Sequence, residues 1–156
     1  MITAIGNPVY DYIKTRKVNP DGRILSGCST NAALAMAKLG QKVRLVGAVG
    51  GDFRDQFVKD LSRYGIEHTV VPSRETGGFS LIYYDDHGNR TLDLLGRADE
   101  IRTVDESWYA DSSAILIGPI LGEVSFDTIK QIRQRFTGLF FCDPQGLLRG
   151  ADKKGR

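Results

Sequence analysis

Six consecutive residues, Ser26-Gly27-Cys28-Ser29-Thr30-Asn31, place hydroxyls, a thiol, a carboxamide and a glycine in one short turn. The turn falls between a short apolar stretch and an alanine-rich one, the pattern of a strand-to-helix junction. Free backbone amides and the positive end of a helix dipole make such a junction a seat for hydroxyls or anions. Gly27 permits close approach of a ligand, and Asn31 can both donate to and accept from a polyol. The same turn also serves as a plain capped helix start, and position alone leaves both readings open.

Other chemistry-bearing residues give weaker signals. Gly47-Ala48-Val49-Gly50-Gly51-Asp52 also joins a predicted strand to a helix, but it lacks the Gly-x-Gly-x-x-Gly spacing of a dinucleotide fingerprint. The acidic residue that should end the following strand is absent, since Glu67 begins it; a nucleotide-dependent oxidoreductase domain is therefore disfavoured. No phosphate-binding P-loop is present, and the run from Gly150 to Arg156 has only part of the glycine spacing. His68 and His87 have no companions at metal-ligand spacing, so no metal site is expected. Cys28 and Cys142 show no metal or redox spacing, and two free thiols in a reducing compartment are expected. A helix start can lower the pKa of Cys28, although a passive small residue explains it as well. Asp85-Asp86 and Asp99-Glu100 read as solvated turn charges.

Composition bounds the function. A chain of 156 residues with 41% hydrophobic and 26% charged residues is the size and polarity of one globular domain. A net charge of +2 with dispersed Lys and Arg argues against nucleic acid. The basic tail, residues 152–156, reads as a solvated terminus. No signal-peptide pattern and no membrane-length apolar run occur, which predicts a cytoplasmic protein.

The elements that must position these residues follow from periodicity. Strands are predicted at Ile2–Ile5, Val9–Thr15, Arg23–Leu25, Val43–Val49 and Glu67–Val71, with turn chemistry at Asn19-Pro20-Asp21-Gly22. Helices are predicted at Thr30–Leu39, with Ser29 or Thr30 as N-cap and Gly40 as stop, and at Asp52–Tyr64. Alternation of strands and helices implies a parallel sheet. Phe79–Tyr84 and Arg90–Leu95 instead alternate around a hairpin turn, and the 9–25 pair can join them in an antiparallel appendage. A polar link (97–106) leads to a strand at Ala114–Ile117, an amphipathic helix at Val124–Arg135 and a buried strand at Leu139–Cys142. The sequence stops soon after that strand with no helix to cover it. This predicts an exposed flank, and with it a missing segment or a partner.

In order and spacing these features resemble the N-terminal half of the ribokinase-like (PfkB) sugar and nucleoside kinase family. Gly6-Asn7-Pro8-Val9-Tyr10-Asp11 is similar to its first-strand motif, and Ser26–Asn31 to its Gly-Gly-x-x-x-Asn. Val46–Asp52 resembles its Val-Gly-x-Val-Gly-x-Asp run, and Asp143–Arg149 a strand-end segment near its substrate site. Tyr64-Gly65-Ile66 and Thr76-Gly77 also fall in place. Ser26 departs from the usual first glycine, and Asp55 stands where glycine is common.

The resemblance implies an α/β fold, one incomplete domain over 1–156, with a parallel sheet, flanking helices and a small antiparallel β lid of strands near 9–25 and 79–95. It implies Asp11, Gly27 and Asn31 as hydroxyl-binding residues, and Phe79 and Leu81 as lid residues against a sugar or nucleoside. The family uses ATP and Mg2+ for phosphoryl transfer to an alcohol. Its Gly-Ala-Gly-Asp motif, which carries the catalytic aspartate, has no counterpart here; Gly150-Ala151-Asp152 lacks the second glycine. The expectation is a substrate-binding half of such a kinase, without catalytic residues, inactive alone and binding neither ATP nor Mg2+ strongly. The alternative is a non-catalytic polyol-binding or dimerising derivative. A homo-oligomer through the lid strands or the exposed sheet is expected.

Overall fold

The computed structural model describes residues 1–151. Its body is a five-stranded, wholly parallel sheet in the order β5-β4-β1-β8-β9. The strands are β1 (Ile2–Ile5), β4 (Val43–Gly50), β5 (Glu67–Ser73), β8 (Ala114–Ile117) and β9 (Leu139–Cys142). Successive residues of these strands serve opposite faces, because side chains alternate across a sheet. Ala4 and Leu45 enter one core with Phe57 and Leu61, whereas Ile5 and Val46 enter the other with Ile115, Ile132 and Phe136. Helices α1 (Cys28–Lys38) and α2 (Arg54–Ser62) cover the first face, and α3 (Phe126–Arg135) the second. The alanines of α1 let it lie against β1 and β4, with Ala33 fully buried.

The lid is a four-stranded sheet in the order β3-β2-β6-β7, formed by β2 (Val9–Lys14), β3 (Ile24–Ser26), β6 (Gly78–Tyr83) and β7 (Arg90–Gly96). The predicted lid and its membership are present, but the sheet is mixed. The β2/β3 and β6/β7 seams are antiparallel, and β2 pairs with β6 in parallel, Tyr12 opposite Ser80. Both strands leave C-terminal ends of body strands, β1 and β5, so they rise from the body in the same direction.

Three local expectations change. Helix α1 starts at Cys28, with Gly27 at the N-cap and no side-chain cap. Ser29 Oγ donates instead to the Gly6 carbonyl at 3.0 Å, while buried Thr30 Oγ1 has no partner. Gly27 has φ 118°, and a Cβ there would lie 3.2 Å from the Asn7 carbonyl oxygen. Glycine is thus needed where the lid strands meet the helix. Strand β9 is the sheet edge, as the missing covering helix predicts, but it is not buried: Leu139 and Phe141 are 66% and 55% exposed. A short helix α4 (Gln145–Leu148) follows it, and a 3-10 turn lies at Glu106–Trp108; neither was expected. The basic tail and Asp152 lie outside the described residues.

Candidate functional site

Between lid and body lies a cleft of about 370 Å³, and Asp11, Gly27, Asn31, Phe79 and Leu81 all line it. The structure therefore brings together all five residues that the resemblance implies for the site. Asp11 and Asn31 come from the lid strand and the first turn of α1, and Phe79 and Leu81 from alternate positions of β6. Asn31 is exposed at the mouth, whereas Asp11 is only 5% exposed.

Asp11 Oδ1 accepts the Phe79 amide at 2.8 Å. Burial raises its carboxyl above the ordinary aspartate range, opposed by that amide, by the Ser26 hydroxyl and by the positive charges of Arg23 and Arg149. A carboxylate has about four acceptor positions. Asp11 therefore retains acceptor capacity on the side facing the cleft. Cys28 is pushed up to about 12, chiefly by burial and then by Asp143, so it is a neutral thiol and not a helix-activated thiolate. Cys28 and Cys142 are both free.

Sequence reasoning did not single out the far wall. Arg90, Leu92, Ile120, Asp143, Gln145 and Arg149 complete the lining. The Asp143–Arg149 segment was marked as a block; its side-chain roles depend on α4, whose single turn has too few residues to show a period. Asp143 Oδ1 accepts the Gln145 amide at 2.9 Å and so starts that turn. With the Gln145 carboxamide oxygen facing Arg149, it accepts from Nη1 and Nη2 at 3.1 and 2.6 Å. The Arg149 guanidinium lies 5.3 Å from the centroid of the Phe79 ring. The α4 turn and the lid thus meet across the cleft.

Two polar clasps hold the lid on the body. Glu123, 4% exposed, accepts the amides of Asn7, Ile120 and Leu121 at 2.8–2.9 Å. Asn7 in turn accepts the Ala48 amide and donates to the Asp99 carbonyl. At the second crossing Asp52 Oδ1 accepts the Thr76 hydroxyl at 2.6 Å and its amide at 3.1 Å, and Thr76 Oγ1 accepts the Gly50 amide at 2.9 Å. The Gly50-Gly51-Asp52 turn thus latches the entry to β6.

A family model described as pfkB family carbohydrate kinase matches residues 10–134. The chain belongs to that family. A pyrophosphate-dependent kinase in the ribokinase family is similar at 24% identity and a TM-score of 0.81, covering 99% of this chain and 54% of that one. A ribokinase from Thermotoga maritima is 21% identical with a TM-score of 0.72, over 95% of this chain and 54% of its own. A nucleoside kinase from Burkholderia thailandensis, solved in complex with inosine, is 19% identical with a TM-score of 0.72, covering 94% and 54%. The chain spans about half the length of these structures. No curated protein matches.

The pfkB kinases imply a phosphate donor and Mg2+. Among the described residues no group of three or more His, Cys, Asp or Glu is arranged to hold a metal. No helix among the described residues is long and apolar enough to cross a membrane.

Proposed function

We propose that this chain is the acceptor-binding part of a pfkB sugar or nucleoside kinase, and that the cleft under the lid holds the alcohol to be phosphorylated. The observation that carries this reading is the convergence of Asp11, Asn31, Phe79 and Leu81 on one cleft, with a buried carboxylate that keeps acceptor capacity. Asp11 accepts hydroxyl protons in charge-assisted hydrogen bonds, Asn31 donates and accepts, and Phe79 and Leu81 cover the apolar edge of the ring. Gly27 leaves room for close approach at the helix start. Gln145 and Arg149 supply donors opposite Asp11.

Transfer of a phosphoryl group forms a bond between the acceptor oxygen and phosphorus, breaks the bond to the donor's leaving oxygen and moves the acceptor proton to a base. It also needs cations on the donor phosphates. The cleft residues account for acceptor binding alone, and the chain by itself is proposed to lack turnover. The test is a panel of sugars, cyclitols and nucleosides titrated into the purified chain by calorimetry, followed by ATP or pyrophosphate. Saturable binding of a polyol without phosphorylation is expected. Robust turnover would remove the claim of inactivity, and no binding by any member would remove the acceptor site itself. A non-catalytic polyol-binding protein is the second reading. The exposed apolar edge strand β9 favours an assembling role for it, with a second copy of the chain as the proposed partner.

A further inference from the structure

The two walls of the cleft differ in chemistry. The body wall offers hydrogen-bonding side chains at Asn31, Asp143, Gln145 and Arg149. The lid wall is set by pleat and register. Phe79 and Leu81 lie two apart on β6 and share the cleft face, and β7 places Leu92 opposite Leu81. On β2, Ile13 is opposite Leu81 and lies two positions beyond Asp11, on the same face. The rung beyond Asp11 is therefore Ile13, Leu81 and Leu92, with no side chain that donates or accepts a hydrogen bond. Arg90, opposite Tyr83, ends the wall, its guanidinium 5.3 Å from the Tyr83 ring centroid.

Leu81 and Leu92 are half-buried against the small core of Val9, Phe79, Ile120 and Leu121, and both still line the cleft. Directly opposite residues of an antiparallel pair hold their Cβ atoms about 5 Å apart, so the two side chains form one continuous apolar surface. A C–H edge pressed on that surface leaves water at a gain. A hydroxyl pressed on it gives up water and finds no partner, which weakens binding about tenfold or more.

We propose that Leu81 and Leu92 act together as a specificity-determining pair of the acceptor cleft. They turn a hydroxyl-free face or substituent of the acceptor toward the lid and so choose which hydroxyls reach Asp11 and Asn31. The acceptor selected in this way is a ring with hydroxyls on one side and C–H or other apolar surface on the other, in preference to one hydroxylated all round. The inference rests on the cleft being the acceptor site, which titration of the wild-type chain tests by itself.

The test is calorimetry on the purified chain with the tightest-binding sugar, cyclitol or nucleoside of the panel and with its monodeoxy analogues, in wild type, L81V/L92V and L81T/L92T. Valine and threonine have nearly the same shape and differ by the hydroxyl, so the two variants separate polarity from shape. In wild type and the valine variant, one deoxy analogue is expected to bind as tightly as the parent or more tightly, and those that lose a partner of Asp11 or Asn31 about tenfold more weakly. In L81T/L92T the tolerated analogue is expected to fall about fivefold behind the parent, because the new hydroxyls find a partner only in the parent. If the double threonine variant does not fold, L92T against L92V makes the same comparison. An order of affinities that is the same in the threonine and valine variants, or a wild type that loses affinity equally with every hydroxyl removed, overturns the pair's role and leaves the acceptor site standing. Saturable binding of no panel member removes the acceptor site and the pair's role with it.

Discussion

Two carboxylates are buried to nearly the same degree, and they do opposite things. Glu123 is 4% exposed and Asp11 5%. Glu123 takes three amides, from Asn7, Ile120 and Leu121, spread over both oxygens. Asp11 takes the Phe79 amide on one oxygen and has the Ser26 hydroxyl beside it, and burial leaves its carboxyl above the ordinary range. A buried charge that is fully hydrogen-bonded belongs to the architecture; one that is partly hydrogen-bonded and faces a cleft is available to a ligand. Burial alone does not separate the two. Counting partners does.

The largest effect is expected on the saturated side. Glu123→Ala leaves three buried amides without an acceptor and should cost about 3 kcal/mol or more in urea denaturation. A loss below 1 kcal/mol would mean that Glu123 is not the clasp described.

Asp11→Asn should reverse the pattern, weakening acceptor binding about a hundredfold by calorimetry while leaving the fold intact. The pH dependence follows from the direction of its shift. Because the folded-state value is raised, the contribution of Asp11 to stability is full below the ordinary carboxylate range and falls away as pH climbs through the raised value. Acceptor affinity runs the other way and is lost as pH falls through that value. Thermal melts across pH should therefore show D11N more stable than wild type at neutral pH, with the difference closing in acid.

The second clasp, at Thr76, sharpens the contrast at a smaller scale. Thr76→Val removes the hydroxyl that bridges Asp52 and the Gly50 amide and should cost about 1–2 kcal/mol, with affinity falling only as far as the lid loosens. The smallest effect is expected at a helix cap that does not line the acceptor cleft. Ser125 caps α3 by accepting the Thr128 amide at 3.1 Å, and Ser125→Ala should cost about 1 kcal/mol and leave acceptor affinity unchanged.

Much of this was legible in the residues, for local reasons. The parallel body followed from apolar runs such as Val43–Val49 alternating with helix patterns, and the lid from the period-two stretches around Asp85–Asn89. Asp11, Phe79 and Leu81 were reached through resemblance, since one aspartate on an alternating strand has no chemistry of its own until a wall is placed opposite it. Long-range contacts were not legible. Glu123 reads as a lone acid between Leu121 and Val124, and its meaning comes from Asn7, 116 positions earlier. The parallel β2/β6 seam likewise depends on two crossings from the body that no local pattern records. The Ser29 and Thr30 hydroxyls fit the usual capping preference, yet the approach of Gly6 and Asn7 to the start of α1 moved that start back to Cys28 and sent the Ser29 hydroxyl to Gly6.

The most direct measurement is an amide chemical-shift map of the chain titrated with the tightest-binding polyol of the panel, in wild type and D11N. Saturable shifts are predicted at Gly27, Asn31 and Phe79, with smaller ones at Asn7 and Leu121 in the Glu123 clasp, and their loss in D11N. Shifts that persist unchanged in D11N, or that centre away from the cleft, would contradict an acceptor site built on Asp11.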